Sequence, residues 1–393
     1  MFSKKSYSKF ELFNSSASIC LLIIFPLIIL IKDIIMYNFK KQYINNQVNY
    51  YFLFFYIVAI QLTRIPESDF ATNIALYANF KNYTLEFIFE SVNNCLILIP
   101  IQFKITFTLF WLTFIYFFWF KSLKKLNLLN IESLLLCLFI PYFFVNTLHL
   151  TQQFASVSLF FYGFIFIITS KKRKNKYIGF LIIALSIFIH SATLLLVPFI
   201  FFRQYKFKFW HLLIIVLIAF FINKINILEL FFSILNYIPD SSILNISISQ
   251  KLSSVINEAS NDSFVLPTLA YFEAGIILII GIVYYGKLTK TLQTLFLTLI
   301  SCFIIIVVFS IYPILALRYY VYFQFLKIFF YSFFFFEYKP SKKVLQPIGY
   351  LIIFFSVYSF YFNFTTGPFS FNGIYSLELL TMNIIEIINN ITY

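Results

Sequence analysis

Residues 177–202 read YIGFLIIALSIFIHSATLLLVPFIFF, an apolar stretch of 26 residues with a histidine in its middle. Basic residues flank the stretch on both sides: Lys171, Lys172, Arg173, Lys174 and Lys176 before it, and Arg203, Lys206 and Lys208 after it. Lys and Arg gather in the cytoplasmic loops of membrane proteins, so a single crossing would place one basic group on the wrong side. We therefore interpret 177–202 as a hairpin of two short apolar arms that enters and leaves on the cytoplasmic side, with His190 and Ser191 at its tip.

The composition of the whole chain also requires a bilayer. Of its 393 residues, 61% are apolar, 23% are aromatic and 11% are charged. A soluble domain carries about 25% charged residues to build its hydrated surface, so a soluble protein is excluded. Four cysteines lie without C-x-x-C spacing, so they predict neither a disulfide framework nor a zinc site.

Ten further apolar runs are close to the length needed to cross about 30 Å of hydrocarbon. They are 14–31, 49–63, 105–120, 133–150, 154–170, 209–223, 266–286, 291–312, 319–336 and 344–362. With the two arms of the hairpin, the sequence predicts an all-α polytopic membrane protein with about 12 full or partial crossings. We expect 1–393 to form a single transmembrane domain.

The charges fit this topology. It places 19 of the 29 Lys and Arg residues in the cytoplasm, which accounts for most of the net charge of +14 without a nucleic-acid partner. The three basic residues Lys4, Lys5 and Lys9 fall outside and do not follow the rule. Two long outer loops are predicted at 64–104 and 224–265, and the spacing of apolar residues predicts an outer amphipathic tail at 363–393.

The densest group of ionisable residues is RIPESDF at 64–70, which is followed by Tyr77. Pro66 disfavours a helix at the preceding residue, so the chain is expected to turn here, and Ser68 or Asp69 is suited to cap the next helix. In a second interpretation, Arg64 binds an anionic group and Asp69 or Glu67 acts as a general base. The spacing leaves both interpretations open.

A second polar group lies at the end of the predicted span 133–150. His149 leads across a short outer turn into Thr151, Gln152 and Gln153. Glutamine amides are common at membrane interfaces, and near a sugar they are suited to recognising hydroxyl groups, because each carries donors and an acceptor. The sequence is compatible with both roles.

His190 is the third candidate. An imidazole in the middle of an apolar stretch costs free energy unless it faces protein or water, so its position marks a candidate site. The alternative is a packing histidine whose hydrogen bonds are satisfied inside the protein.

Arg318 lies just before the predicted span 319–336. It either extends towards lipid head groups or offers a planar guanidinium that binds two oxygens of a diphosphate. Four other ionisable residues lack a supporting context and are interpreted as structural: His211, Glu229, Glu273 and Lys327.

These motifs follow one another along residues 64–330 in an order that resembles the EpsG/Wzy-like family of bacterial polysaccharide repeat-unit polymerases. The corresponding positions are Arg64, Asp69-Phe70, Tyr77, Glu86-Phe87-Ile88-Phe89, Asn146, Gln152, Ala155, the basic loop 171–176, Ala184, His190-Ser191-Ala192, Pro198 and Arg318-Tyr319. The chain departs from the family pattern at Thr151, where the family has an arginine before the glutamine. One cation expected beside the substrate is therefore missing from that position.

The resemblance implies a multi-pass, GT-C-like glycosyltransferase of the bacterial inner membrane. It would transfer a growing glycan from undecaprenyl diphosphate to another lipid-linked repeat unit at the periplasmic face, with no cofactor. The catalytic residues implied are Asp69, His190 and Arg318, and the substrate-binding residues are Arg64, Tyr77, His149, Gln152 and Gln153. The expected partners are the undecaprenyl-diphosphate-linked oligosaccharide, the lipid bilayer and a chain-length regulator protein.

A lipid-linked oligosaccharide flippase and an O-antigen ligase are the alternatives. Transporters commonly use Gly- and Pro-broken spans around a midplane site, whereas this chain has 8 Gly and gathers its candidate residues towards one face. The ligase differs from the polymerase only in its acceptor. A membrane acyltransferase would need a stronger His-Asp pattern than this sequence contains.

Overall fold

The computed structural model describes residues 87–128, 150–204, 268–308 and 313–336, and the single positions 211, 214, 217, 218 and 221. Within these residues every regular element is a helix. Several predicted features lie wholly or mostly outside the described residues: the spans 14–31, 49–63, 133–150, 209–223 and 344–362, the outer loop 224–265 and the tail 363–393.

Seven α-helices make up most of the described part. They are α1 (Phe87–Ile97), α2 (Phe103–Lys125), α3 (Thr151–Thr169), α4 (Arg173–Ile189), α5 (Thr268–Tyr284), α6 (Lys290–Val308) and α7 (Pro313–Phe336). A 3-10 helix, Ser191–Gln204, follows α4, and a 3-10 turn, Tyr285–Lys287, follows α5. Among the described residues, α2, α3 and α6 are long and apolar enough to cross a membrane. The prediction of a helical membrane protein is therefore confirmed for this part of the chain.

The chain divides into two compact units, which comprise residues 1–197 with 331–393, and residues 198–330. In the first unit, α3 and α4 form an antiparallel pair with a close backbone approach at two glycines. A Cβ atom at Gly163 would lie 2.8 Å from the carbonyl oxygen of Gly179, and one at Gly179 would lie 2.6 Å from Cγ1 of Ile167. Small residues allow helices to approach this closely in membranes. Glycine is therefore required at both positions for this packing.

A leucine at Gly163 is expected to wedge α3 away from α4, because the nearest atom is a backbone oxygen that cannot move aside. Overpacking of this kind costs about 1–3 kcal/mol or more. The measurement is the midpoint temperature at which the detergent-solubilised protein loses its monodisperse peak. The matched control is Gly275→Leu, since a Cβ atom at Gly275 meets nothing within 4 Å. Equal midpoints for the two variants would contradict the packing.

The helices α1 and α2 also belong to the first unit. Phe89 stacks on Trp111 with 4.6 Å between ring centroids, and the Trp111 indole N–H donates to Oδ1 of Asn93 at 2.8 Å. Rings of α2 and α3 meet at Phe118 and Tyr162, 5.4 Å apart. The predicted outer loop 64–104 thus contains a helix, α1, which packs on α2.

The stretch 177–202 changes conformation where the sequence predicts a tip. Helix α4 ends at Ile189, His190 is extended, and the 3-10 helix begins at Ser191. Seventeen residues of α-helix span about 25 Å, which is less than the hydrocarbon thickness of about 30 Å. The break at His190 is therefore confirmed, and the return of the second arm to the cytoplasmic side stays a prediction.

The second unit contains α5, α6 and α7 as far as Phe330. A Cβ atom at Gly281 of α5 would overlap the ring of Phe296 on α6, so the ring lies directly against the glycine backbone. The Phe296 ring stacks on Phe330 of α7 with 5.4 Å between centroids. Further along α6, the ring centroid of Phe303 lies 6.5 Å from that of Tyr271 on α5 and 6.2 Å from that of Phe323 on α7. These contacts make α6 antiparallel to both of its neighbours.

Candidate functional site

The backbone of His190 is held by hydrogen bonds on both sides of the break. Its N–H donates to the carbonyl of Ser186 at 3.1 Å, and its own carbonyl accepts from the N–H of Thr193 at 3.2 Å. The Thr193 hydroxyl also donates to the His190 carbonyl at 2.7 Å. The extended residue is therefore fixed between two helices, and its side chain is half-buried.

Side chains from the first two turns of α3 reach across to this break. The amide Nε2 of Gln152 donates to the carbonyl of Ile189 at 3.1 Å. The Ser156 hydroxyl lies 3.0 Å from the Ser186 carbonyl and 3.0 Å from the Thr193 hydroxyl. The last carbonyls of a helix lack intrahelical partners, and here Gln152 of α3 supplies one to Ile189, while Ser156 adds a second donor at the Ser186 carbonyl. We call this set of residues the His190 junction: Gln152, Ser156, Ser186, Ile189, His190 and Thr193.

The structure corrects the prediction that Thr151, Gln152 and Gln153 belong to an outer turn. All three lie in the first turn of α3, and the Thr151 and Gln153 residues are buried. Their polarity indicates a turn, but packing against the rest of the unit holds them in a helix. Thr151 is 0% exposed. Recognition of sugars by Gln152 and Gln153 stays a prediction.

Two stretches that are far apart in sequence meet near the His190 junction. The ring of Phe87, at the start of α1, lies 5.1 Å from the ring of Phe188, two residues before His190. Gln152 of α3 reaches the same end of α4. Parts of three of the sequence motifs, at 87–89, 151–155 and 190–192, are thereby brought to one end of the unit.

Basic residues gather at the opposite end of α4. Helices α2 and α3 run parallel, and Nζ of Lys125 lies 3.5 Å from the ring centroid of Phe166, so α2 ends where α3 ends and α4 begins. The cations at this end are Lys121, Lys124, Lys125, Lys171, Lys172, Arg173, Lys174 and Lys176. The two predicted cytoplasmic groups, 121–125 and 171–176, therefore lie together. Along α4, the His190 junction is about 25 Å away from them.

Arg318 lies in the second turn of α7 and is partly exposed. Its neighbour Tyr319 is buried, and the Tyr319 ring makes an edge contact with Tyr322 at 5.6 Å between centroids. Arg318 and His190 belong to different units. Their convergence on one pocket therefore stays a prediction.

The other predicted site residues lie outside the described residues. They are Arg64, Asp69, Tyr77 and His149. Their roles as anion-binding, basic or sugar-binding residues stay predictions. Within the described ranges, no group of three or more His, Cys, Asp or Glu side chains is placed to hold a metal ion.

A buried ion pair in the second unit is absent from the sequence-based candidates. Lys327 Nζ of α7 donates to Glu273 Oε1 of α5 at 2.8 Å, and the two side chains are 1% and 5% exposed. From the sequence both residues are interpreted as structural, because each lacks a supporting context. A usable signal existed, since ionisable residues of opposite charge in two predicted spans, 266–286 and 319–336, are expected to pair or to be functional.

Comparison with known protein families gives one match to this chain. The sequence model of the EpsG family matches residues 64–376. This range contains every candidate residue discussed above. No curated protein and no solved structure matches the chain.

Proposed function

The chain belongs to the EpsG family, and on this premise we propose that it joins undecaprenyl-diphosphate-linked oligosaccharide repeat units into a polysaccharide. The family is one of glycosyltransferase-like polymerases, and the described helices are those of a membrane protein. The product proposed is O-antigen or capsular polysaccharide, made at the periplasmic face of the bacterial inner membrane. The fold proposed for the whole chain is a GT-C-like arrangement of about 12 crossings.

The meeting of three motifs at the His190 junction is the observation that supports this proposal most. Phe87, Gln152 and His190 come from separate segments, and two of them contact the last turn of α4 beside the third. A half-buried imidazole at a break between helices is accessible to a proton from a bound hydroxyl. A purely structural histidine would not require these motifs to meet at its position.

The distance between the His190 junction and the basic end of α4 supports the outer face. Lys and Arg mark the cytoplasmic side, so the junction lies about 25 Å towards the other side of the membrane. That depth is close to the outer boundary of the hydrocarbon core, where a lipid-linked diphosphate has its polar group.

The proposed reaction is one displacement at the anomeric carbon of the donor glycan. The hydroxyl oxygen at the non-reducing end of the acceptor unit forms the new glycosidic bond, and the bond from the anomeric carbon to the diphosphate oxygen breaks. Undecaprenyl diphosphate leaves with that electron pair. His190 or Asp69 accepts the hydroxyl proton, in the role of a general base.

Cations near the leaving group would stabilise the negative charge that develops on the diphosphate. We assign this role to Arg318 and Arg64, because a guanidinium can donate two parallel hydrogen bonds to such oxygens. Thr151 is buried and uncharged, so the cation that the family carries at that position must be supplied by another residue. Tyr77, His149, Gln152 and Gln153 are proposed to contact the sugars.

The test is deletion of the gene in a strain whose surface polysaccharide separates as a ladder on a gel, with the intact gene returned on a plasmid as the control. A polymerase predicts that the ladder is lost while a single repeat unit remains attached to its final acceptor. Purified protein supplied with lipid-linked repeat units should lengthen them. Loss of every attached unit, with no lengthening by the purified protein, would favour a flippase or a ligase and contradict the proposal.

A further inference from the structure

The pairing of Glu273 with Lys327 places two charges inside the second unit, at positions that the proposed reaction does not use. The ammonium and the carboxylate are 2.8 Å apart, and both side chains are almost completely shielded from solvent. Removing two ions from water is costly, and a buried pair of this kind often adds less stability than apolar residues of the same size. Stability therefore does not by itself explain the pair.

Helix α7 has an unusual surface that suggests another role. Its residues are apolar or aromatic on all sides, and between positions 321 and 331 nearly all of them are buried. An amphipathic helix has one apolar stripe, and burial of that stripe fixes the rotation of the helix about its axis. A helix that is apolar all round lacks this constraint, because a rotation exchanges one phenylalanine for another at the same contact.

The polar residues of α7 restore the missing constraint. Tyr320, Gln324 and Lys327 lie on one face, since successive residues are about 100° apart around the helix. Of these three, Lys327 donates a hydrogen bond to Glu273 of α5 at 2.8 Å. Arg318 lies about 180° round the helix from Lys327. Rotation of α7 would break the ion pair and turn Arg318 at the same time.

We propose that the Glu273–Lys327 ion pair fixes the rotation of α7 and thereby sets the direction in which Arg318 is presented. Glu273 and Lys327 are positioning residues, and they act on the reaction through Arg318. The part of this inference that concerns catalysis rests on the proposed function. The part that concerns the rotation of α7 is independent of it.

The first experiment separates this role from stability with two double variants. The double variant Glu273→Leu/Lys327→Met removes both charges, so that no unpaired ion is left in the interior. We expect it to accumulate at the level of the unchanged protein but to produce a ladder with at least about a tenfold loss of long chains. The swapped variant Glu273→Lys/Lys327→Glu should restore the ladder. A full ladder from the double variant would overturn the role in catalysis.

The second experiment measures rotation directly, in a chain whose four cysteines are replaced by alanine. Single cysteines at Arg318→Cys and Phe323→Cys, which lie about 140° apart around the helix, are labelled with a membrane-impermeant thiol reagent in intact membranes. Arg318 is partly exposed and Phe323 is 1% exposed, so position 318 should react about ten times faster or more. In the Glu273→Leu/Lys327→Met background the two rates should approach each other, and in the swapped background the contrast should return.

The two experiments have distinguishable failures. An unchanged labelling contrast in the double variant overturns the inference, whatever the ladder shows. If the difference in labelling rate is lost but the ladder stays full, the ion pair does fix the rotation of α7, and the role of Arg318 in the proposed function is contradicted instead. If the apolar double variant does not accumulate, Glu273→Gln/Lys327→Gln takes its place, because amides remain polar but carry no charge. The difference in labelling rate between the two cysteines should also fall in this variant. An unchanged difference would overturn the inference.

Discussion

Replacing Arg318 with alanine is expected to abolish chain elongation while the protein still accumulates in the membrane. The departing diphosphate gains negative charge in the transition state, and removing one donor that is aimed at such charge typically costs about a hundred- to a thousandfold in rate. Arg318 is partly exposed, so truncation of its side chain leaves no large cavity. The measurement is the ladder, together with the amount of protein in the membrane fraction.

The matched control for Arg318 is another cation at the end of a helix in the same unit. Lys287 is exposed after α5, where its ammonium lies 5.3 Å from the ring centroid of Tyr284. Lys287→Ala should leave the ladder unchanged, and Arg318→Lys should restore it only in part, because an ammonium cannot bind two oxygens in parallel. Equal ladders from Arg318→Ala and Lys287→Ala would remove Arg318 from the site.

His190→Ala should have the same outcome for a different reason. Loss of a general base costs about a hundred- to ten-thousandfold. The contacts that fix the break at His190 come from its backbone N–H and carbonyl, which alanine retains. The fold of the His190 junction should therefore survive the substitution. The control is His211→Ala, since His211 is exposed on a helix. A normal ladder from His190→Ala would contradict the assignment of the base but would leave the family membership unaffected.

Much of the helical framework can be predicted from sequence because the length and polarity of a span are local properties. The predicted spans 105–120 and 291–312 correspond to α2, Phe103–Lys125, and α6, Lys290–Val308. The break at His190 is also predictable, since basic groups on both sides of one apolar stretch cannot both be cytoplasmic after a single crossing. Both predictions depend only on the bilayer and on residues that are close together in the sequence.

Contacts between helices are much harder to predict, because they depend on residues far apart in the chain. Glu273 and Lys327 are separated by two helix ends and the whole of α6, and no local pattern joins them. The same applies to Ser156 and Thr193, whose hydroxyls meet only after α3 and α4 have packed at their glycines. The polar start of α3 is mistaken for a turn for the same reason. The parts of the candidate site that are missed are thus those that tertiary packing creates.

Lys327→Met is expected to cause the largest loss of folded protein among the substitutions considered. It removes the ammonium 2.8 Å from Glu273 Oε1 and leaves a carboxylate that is 5% exposed without its ion partner. Breaking a buried pair by removing one partner costs about 3–5 kcal/mol, because the remaining ion is neither hydrated nor paired. The measurement is the amount of monodisperse protein after extraction in mild detergent, with the midpoint temperature of the extracted protein.

Two further variants show whether this loss comes from the stranded charge. Lys290→Met makes the same chemical change at an exposed lysine and should alter stability by only about 0.5 kcal/mol or less. Adding Glu273→Leu to Lys327→Met should return the protein to near its original amount, since the pair as a whole contributes little net stability. A double variant as unstable as Lys327→Met would mean that the packing of the lysine stem, and not the unpaired carboxylate, carries the cost. Recovery by the double variant would instead leave the orientation of α7 as the property for which the two charges are needed.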